Sequence, residues 1–324
     1  FPFHFLSGMC IFIKVRNKPQ FNPKMEFTMR KAAILLISSF AIVSSVWGQN
    51  PNGNDTVQHW KAGGNTGLTF SQVSLSNWSG GGENSLSGTF SFNGFLNYTK
   101  GKNAWENTLD IGYGLTRQGS ENVVKTEDRL QFVSKYGRQA SQNWFYTALF
   151  DFKTQFDKGY KDPPENTILT SRFMSPAYIL LSLGMDYKPN DHFSLYLSPV
   201  TGKITIVNDD RLSDQGAFGV TPGENIRSEF GSSLKSIYQK KNIIENVDFK
   251  TRLDLFSNLS DHPERVDVEW ETQFNFRVNS FLTAKLGTTL VYDHDINYVD
   301  NDGVEHGPRV QFKQLFGFGV NYEF

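Results

Sequence analysis

The chain has 324 residues, with 32 Lys and Arg against 33 Asp and Glu, a formal net charge of −1 and a pI near 6.7. So even a balance excludes a basic nucleic-acid binder and gives no global attraction to anionic lipid. Aromatics are frequent, at 29 Phe, 12 Tyr and 6 Trp, yet mean hydropathy is only −0.41. No run reaches the roughly 18 apolar residues that a spanning helix requires, so any membrane role must come from strands.

Residues Phe1 to Thr28 precede Met29 and read as an upstream non-native segment. Met29-Arg30-Lys31 is a basic n-region, Ala32 to Val46 an apolar h-region, and Val46-Trp47-Gly48 a permissive cleavage site. Residues 29–48 are therefore expected to be a signal peptide. The only cysteine, Cys10, lies ahead of it, which leaves the expected mature chain without disulfides or thiol chemistry. Residues 49–64 are expected as a periplasmic leader and 65–324 as the folded domain.

Alternation then recurs almost to the last residue. Leu86, Phe90, Phe92, Leu96 and Tyr98 share one parity and Ser87, Thr89, Ser91, Asn93 and Asn97 the other. Trp105, Leu109, Ile111 and Tyr113 stand opposite Glu106, Thr108 and Asp110. The clearest run is Arg265 to Val278, in which Val266, Val268, Trp270, Phe274 and Phe276 alternate with Asp267, Glu269, Glu271, Gln273 and Asn275. Only a period of 2 segregates these sets. The last run, Gln311 to Phe324, places Phe316, Phe318, Val320, Tyr322 and Phe324 on one face.

About twelve strands follow, most longer than the roughly 9 to 11 residues that a tilted strand needs to span a bilayer. Their expected cores are 66–75, 84–98, 104–117, 127–137, 142–156, 176–188, 191–200, 226–240, 244–258, 264–278, 281–293 and 311–324. Even-numbered links are short and odd ones mostly long, notably 157–175, 201–225 and 294–310. Short periplasmic turns and long extracellular loops are the asymmetry of outer-membrane barrels. The expected fold is one antiparallel transmembrane β-barrel, its last strand pairing with the first near Leu68 and Phe70. A soluble β-protein with the aromatic face as its core is the alternative; strand length, loop asymmetry and the closing Phe disfavour it. Tyr98, Trp105, Trp144, Tyr187, Phe193, Tyr238 and Phe324 fall at the short-turn ends as a candidate membrane girdle.

Several stretches resemble one family. They are Asn77 to Ser85, Lys125 to Arg129, Ser134 to Gly137, Leu183 to Pro189, Leu197 to Val220, Leu255 to Asn258, Asp267 to Glu271 and the closing strand. Together, over nearly all of the expected mature chain, they resemble the outer-membrane barrels grouped as domain of unknown function 3078. The resemblance implies a barrel in the outer membrane of a Gram-negative bacterium and implies no activity.

The polar face is densely ionic, and ten acidic and ten basic residues share its parity. The candidate lumen lining is Asp248, Lys250, Arg252, Asp254 and Arg265, with Asp267, Glu269, Glu271 and Arg277. Two readings stand: a polar lining for a passive channel or transporter of small polar solutes, or salt bridges that fill the lumen of a non-conducting structural barrel. The balance of signs suggests at most weak cation or zwitterion preference. Glu269 and Glu271, about 7 Å apart along the strand, read as ion-pair partners of Arg252 or Arg277 rather than as a glycosidase pair.

Asp293, Asp295 and Asn297 are weak metal candidates, since Tyr298 occupies the Gly position of a calcium loop and its closing Glu is missing. An outer-membrane hydrolase is the weakest reading, because none of His59, His192, His262, His294 and His306 has a Ser at matching height on the outer wall. Gly80-Gly81-Gly82 lacks the helix and Lys-Ser/Thr of a phosphate loop, and no cofactor is expected. The expected partners are outer-membrane lipid, the barrel-assembly machinery through the closing strand, and a small polar solute.

Overall fold

The computed structural model describes residues 59–75, 83–161, 167–299 and 305–324. The expected upstream segment and signal peptide, residues 49–58 of the leader, the Gly80–Gly82 turn and Asp300–Gly303 lie outside them. The wall strands are β1 (Trp60–Val73), β2 (Ser85–Lys100), β3 (Asn103–Gln118), β4 (Val124–Gln139), β5 (Trp144–Thr154) and β6 (Ala177–Asn190). They continue as β7 (Phe193–Ile206), β8 (Ile226–Ile244), β9 (Val247–Asn258), β10 (Val266–Arg277), β11 (Leu282–Tyr292) and β12 (Gln311–Glu323).

Each strand pairs with its sequence neighbours, and β12 returns to β1, so the sheet is a closed twelve-stranded antiparallel barrel. The expected seam is found, with Leu68 opposite Val320 and Phe70 opposite Phe318. At its end Gly64 and Phe324 exchange both backbone hydrogen bonds at 3.0 Å. Closure gives both edge strands a partner and leaves no free edge in the ring.

Alternation sets the faces. The buried residues include Gln131, Asp151, Ser182, Asp186, Thr201, Thr205, Glu229 and Ser233, whereas Leu68, Phe70, Leu96, Trp105, Leu181, Trp270, Phe316 and Phe318 are exposed. A soluble barrel has the opposite arrangement. The alternative fold, with the aromatic face as core, is therefore overturned. Short turns close β2–β3 and β8–β9, where Gly101 (φ +57°) and Asn246 (φ +61°) supply the left-handed backbone that tight hairpins need.

Two expected boundaries move. β1 begins at Trp60, so Trp60 to Gly64 are wall rather than leader. Gly63 and Gly64 hide the alternation because they carry no side chain, and a Cβ on Gly64 would lie 2.4 Å from the Asn93 carbonyl oxygen. β7 runs on to Ile206, so Thr201 to Ile206 are strand rather than loop. The register slips on both sides of β7: Leu183 and Met185 face Val200 and Leu197, and Gly231 and Ser233 face Thr201 and Ser198. This is a β-bulge at Pro199, a residue that cannot donate to the ladder. Past the bulge parity reverses, turning Thr201, Lys203 and Thr205 inward.

The long connections carry structure that alternation did not announce. Gly159–Tyr160 pairs with Leu169–Ser171, and Asn297–Val299 with Glu305–Pro308. Between β7 and β8 lie helix α1 (Asp210–Asp214) and a 3-10 turn, Ala217–Gly219.

Gly184 sits opposite the bulge, where an added Cβ would lie 2.1 Å from the Leu197 carbonyl oxygen. Gly184→Ala must displace backbone. It is expected to destabilise the barrel by about 1–3 kcal/mol, read as a lower urea midpoint of the refolded protein.

Candidate functional site

The inward charges form tiers. Nearest the short turns, Lys135 of β4 binds Asp186 of β6 at 2.6 Å and Glu106 of β3 at 3.2 Å. Lys188 binds Glu106 and reaches Asp186 at 3.3 Å. Ser194 donates to Asp186 at 2.7 Å. Beside this tier Arg277 binds Asp248 on the neighbouring strand at 2.9 Å.

At mid-height Lys235 holds Asp151 and Asp254, each at 2.9 Å. Gln131 donates to Asp151 at 2.9 Å and accepts from Arg252 at 3.0 Å. Arg252 also lies 3.4 Å from Glu271. At the same level, Arg129 of β4 binds Glu271 of β10 at 2.7 Å. These two strands stand half-way round the ring from each other in either direction, so the pair crosses the lumen. Lys153 of β5 reaches Glu269 of β10 in the same way.

The loop-side tier joins Lys203 to Asp267 at 2.7 Å and Arg227 to Glu229 and Asp295 at 3.1 and 2.7 Å. Lys313 of β12 reaches Glu127 of β4 at 2.6 Å. Above this tier the β7–β8 connection folds on a small core of Val207, Leu212 and Val220, against which Leu169 of the β5–β6 connection packs. Asp209 caps α1 through the Arg211 backbone N–H at 3.1 Å and accepts from the Arg172 guanidinium at 2.8 Å. Hydrogen bonds from Arg211 and then Arg172 hold the Asp209 carboxyl well below the usual carboxylate range.

Of the candidate lining, Asp248, Arg252, Asp254, Asp267, Glu269, Glu271 and Arg277 are brought into these inner networks, and Lys250 shares their inward parity on β9. Arg265 is not: it is exposed in the 259–265 turn, because β10 starts one residue later. Glu271 pairs with Arg252 as expected, but Arg277 goes to Asp248. Lys203 escaped sequence reading because the Pro199 bulge reverses its parity. Glu106 and Arg227 keep simple parity with Asp110 and Glu229, a signal that could have found them. The partners across the lumen carry no sequence signal.

The aromatic candidates at the short-turn rim are register partners. Tyr98 faces Trp105, Trp105 faces Tyr136, Trp144 faces Tyr187, and Tyr238 faces Phe193. Trp60 adds to them, its ring 4.9 Å from that of Tyr98. The Phe324 ring stacks 6.2 Å from Phe92.

The weak metal candidates do not converge. Asp295 is taken by Arg227, and Asp293 accepts the Asp295 backbone N–H at 2.9 Å. Among the described residues no cluster of three His, Cys, Asp or Glu could hold a metal. His59 meets the Thr99 carbonyl oxygen at 3.1 Å, His262 meets Glu264 at 3.0 Å, and His294 meets the Tyr292 hydroxyl at 3.2 Å.

Glu271→Ala leaves Arg129 and Arg252 without their shared carboxylate. Discounted for the water around them, the loss is expected to be about 1–3 kcal/mol, measured as a lowered urea midpoint. Asp209→Ala removes a helix cap worth about 1 kcal/mol and should speed hydrogen exchange at Leu212 and Ser213 while the barrel keeps its heat-modifiable gel migration. The folded Asp209 is more acidic than an unfolded Asp of about 3.9, so its stabilisation is complete above that value and fades as pH falls through the folded one. Protection factors at these amides, with the intrinsic pH dependence of exchange divided out, should be unchanged from pH 7 to about 5 and fall only in strong acid.

Among curated proteins none matches the chain. Solved structures with a similar course include the translocator domain of autotransporter NalP from Neisseria meningitidis, at 8% identity and TM-score 0.35, covering 91% of this chain and 98% of that one. The COG4313 outer membrane channel from Pseudomonas putida F1 follows at 10% identity and TM-score 0.39, covering 86% and 100%. The NanC porin gives 8% identity and TM-score 0.35 over 79% and 97%. The barrel is defined by the strand pairing of this chain itself. Residues 70–160 match the family described as "Protein of unknown function (DUF3078)". The stretches at Asn77–Ser85, Lys125–Arg129 and Ser134–Gly137 fall inside that span and the others outside it, so the family resemblance read from the sequence holds from late β1 through β5.

Proposed function

We propose that the chain is an integral barrel of a Gram-negative outer membrane and a passive channel for small polar solutes. The exposed apolar wall supports the membrane reading, because lipid is the solvent that such a wall suits. The paired aromatics at the short-turn rim match an interfacial girdle, with rings in the headgroup region and polar edges toward water. Backbone groups are satisfied strand to strand, as hydrocarbon requires. The closing strand with its outward Phe324 is the segment offered to the barrel-assembly machinery.

One observation carries the channel reading. The ion pairs that cross the lumen are wet: the side chains of Arg129 and Lys153 are each 30% exposed, and those of Glu269 and Glu271 each 23%. Water-sized space therefore surrounds charges that the wall encloses on every side. A dry lumen would instead impose a desolvation penalty of several kcal/mol on each ion. The same pairs favour a second reading, a non-conducting envelope barrel, because Arg129–Glu271 divides the cross-section.

Planar-bilayer recording of the refolded protein separates the two. The channel reading expects discrete open steps, larger in Arg129→Ala/Glu271→Ala, where the crossing pair is gone. Silence at all voltages in both proteins would leave the non-conducting barrel. The membrane reading expects fractionation with outer membranes and heat-modifiable gel migration; recovery in the soluble periplasmic fraction would overturn it.

A further inference from the structure

The Arg129–Glu271 pair joins β4 to β10 and so leaves two sides of the lumen. On the side of β5 to β9 the inward side chains crowd together, and Asp151, Asp186, Tyr196, Thr201, Ser233 and Phe256 are all buried. On the seam side, among the described residues, β12, β1, β2 and β3 bury no side chain; only their glycines are buried. Inward Gly67 and Thr69 of β1, opposite Ser91 and Thr89 of β2, typify this small, neutral lining. Lys313 of β12 crosses to Glu127 nearer the loops, with half of its side chain exposed. The seam side is therefore the open and wetter one.

One ammonium group reaches into this space without a carboxylate. Among the described residues Lys285 of β11 makes a single hydrogen bond, to the Ser91 hydroxyl at 3.3 Å. To arrive there it passes over β12 and β1, which stand between β11 and β2. Gly67 makes room: a Cβ on it would lie 3.2 Å from Lys285 Nζ, 3.2 Å from Ser91 Oγ and 3.3 Å from Asn321 Oδ1. Polar groups from three strands thus converge over one glycine. Asn321 Oδ1 is buried and, among the described residues, accepts no hydrogen bond. No charged side chain bears on Lys285, and the mid-height carboxylate of β3, Asp110, is held by the Asn93 amide at 2.5 Å.

An unpaired cation, a hydroxyl and an unused acceptor at one place define a complementary ligand. An ammonium group carries three donors, and the Ser91 hydroxyl donates as well. Nζ and Oγ, 3.3 Å apart, suit the two oxygens of one carboxylate. A hydroxyl beside that carboxylate would donate to Asn321 Oδ1. We infer that Lys285, Ser91 and Asn321 form a subsite for small hydroxy-carboxylates on the seam side of the lumen, and that solute passes on that side. This departs from the weak cation or zwitterion preference suggested by simple charge balance, because Lys285 is not consumed in a pair. The inference rests on the channel reading.

The test is planar-bilayer recording of the refolded full chain in potassium chloride, with glycolate as the probe and acetate as its analogue without the hydroxyl. Glycolate should block the current at about one-third of the concentration that acetate requires, the worth of one hydrogen bond. Lys285→Gln should remove the block by both acids. Asn321→Ala should bring glycolate down to the level of acetate. In a Cys10→Ser background, an anionic methanethiosulfonate should block Thr69→Cys on the seam side and leave Ser233→Cys on the other side conducting. Heat-modifiable migration checks that each variant folds, and Lys285→Gln decides alone if Asn321→Ala does not. Equal block by the two acids, block that survives Lys285→Gln, or modification that stops only Ser233→Cys overturns the inference while leaving the channel intact. No conduction even in Arg129→Ala/Glu271→Ala overturns the channel and the subsite together.

Discussion

Closure of the ring between β1 and β12 is the constraint on which the rest depends. An open sheet presents a row of unpaired amide and carbonyl groups at each edge, and in hydrocarbon each such group is prohibitively unfavourable. Pairing Leu68 with Val320 and Gly64 with Phe324 removes both edges at once. Once the ring is shut, every strand has an inside and an outside, and a residue's parity decides its solvent. Polar and charged side chains then have nowhere to go but the lumen.

What happens there follows from crowding. Charges brought together from twelve strands find partners two, three or six strands away, as in Lys135–Asp186, Lys188–Glu106 and Arg129–Glu271. Pairs between neighbouring strands help to fix register. Pairs across the lumen hold opposite walls at a set separation, resisting collapse and widening alike. Their worth in free energy is modest because water reaches them, but their geometry defines the cross-section through which anything could pass.

Much of this was legible in the residues. Alternation in runs such as Val266 to Phe276 gives strands, faces and even the seam, because a period of 2 belongs to one element type. The ionic lining is a corollary of the same parity. What escaped reading did so for definite reasons. Gly63 and Gly64 carry no side chain to mark a face. Arg265 keeps the parity of β10 but falls beyond its end. Helix α1 is too short for periodicity to reveal. The partners of Glu269 and Glu271 across the lumen, Lys153 and Arg129, lie more than a hundred positions away in the chain, a relation that only the folded ring creates.

The Pro199 bulge bears on how such a wall can change over time. With one extra residue in β7, the segment up to Leu197 and the segment from Val200 onward follow opposite parities. Deleting Pro199 together with the bulge would leave Lys203 facing inward, but flattening β7 with the extra residue in place would swing Lys203 outward and carry Val200 and Ile204 into the lumen. Gaining a second elsewhere in β7 would do the same to whatever lies beyond it. A wall of this kind can exchange its side chains freely within each face, but its strands can lengthen or shorten only in steps of two, or at the rims. Odd steps survive only where, as here, the neighbouring strands offer a glycine opposite the slip.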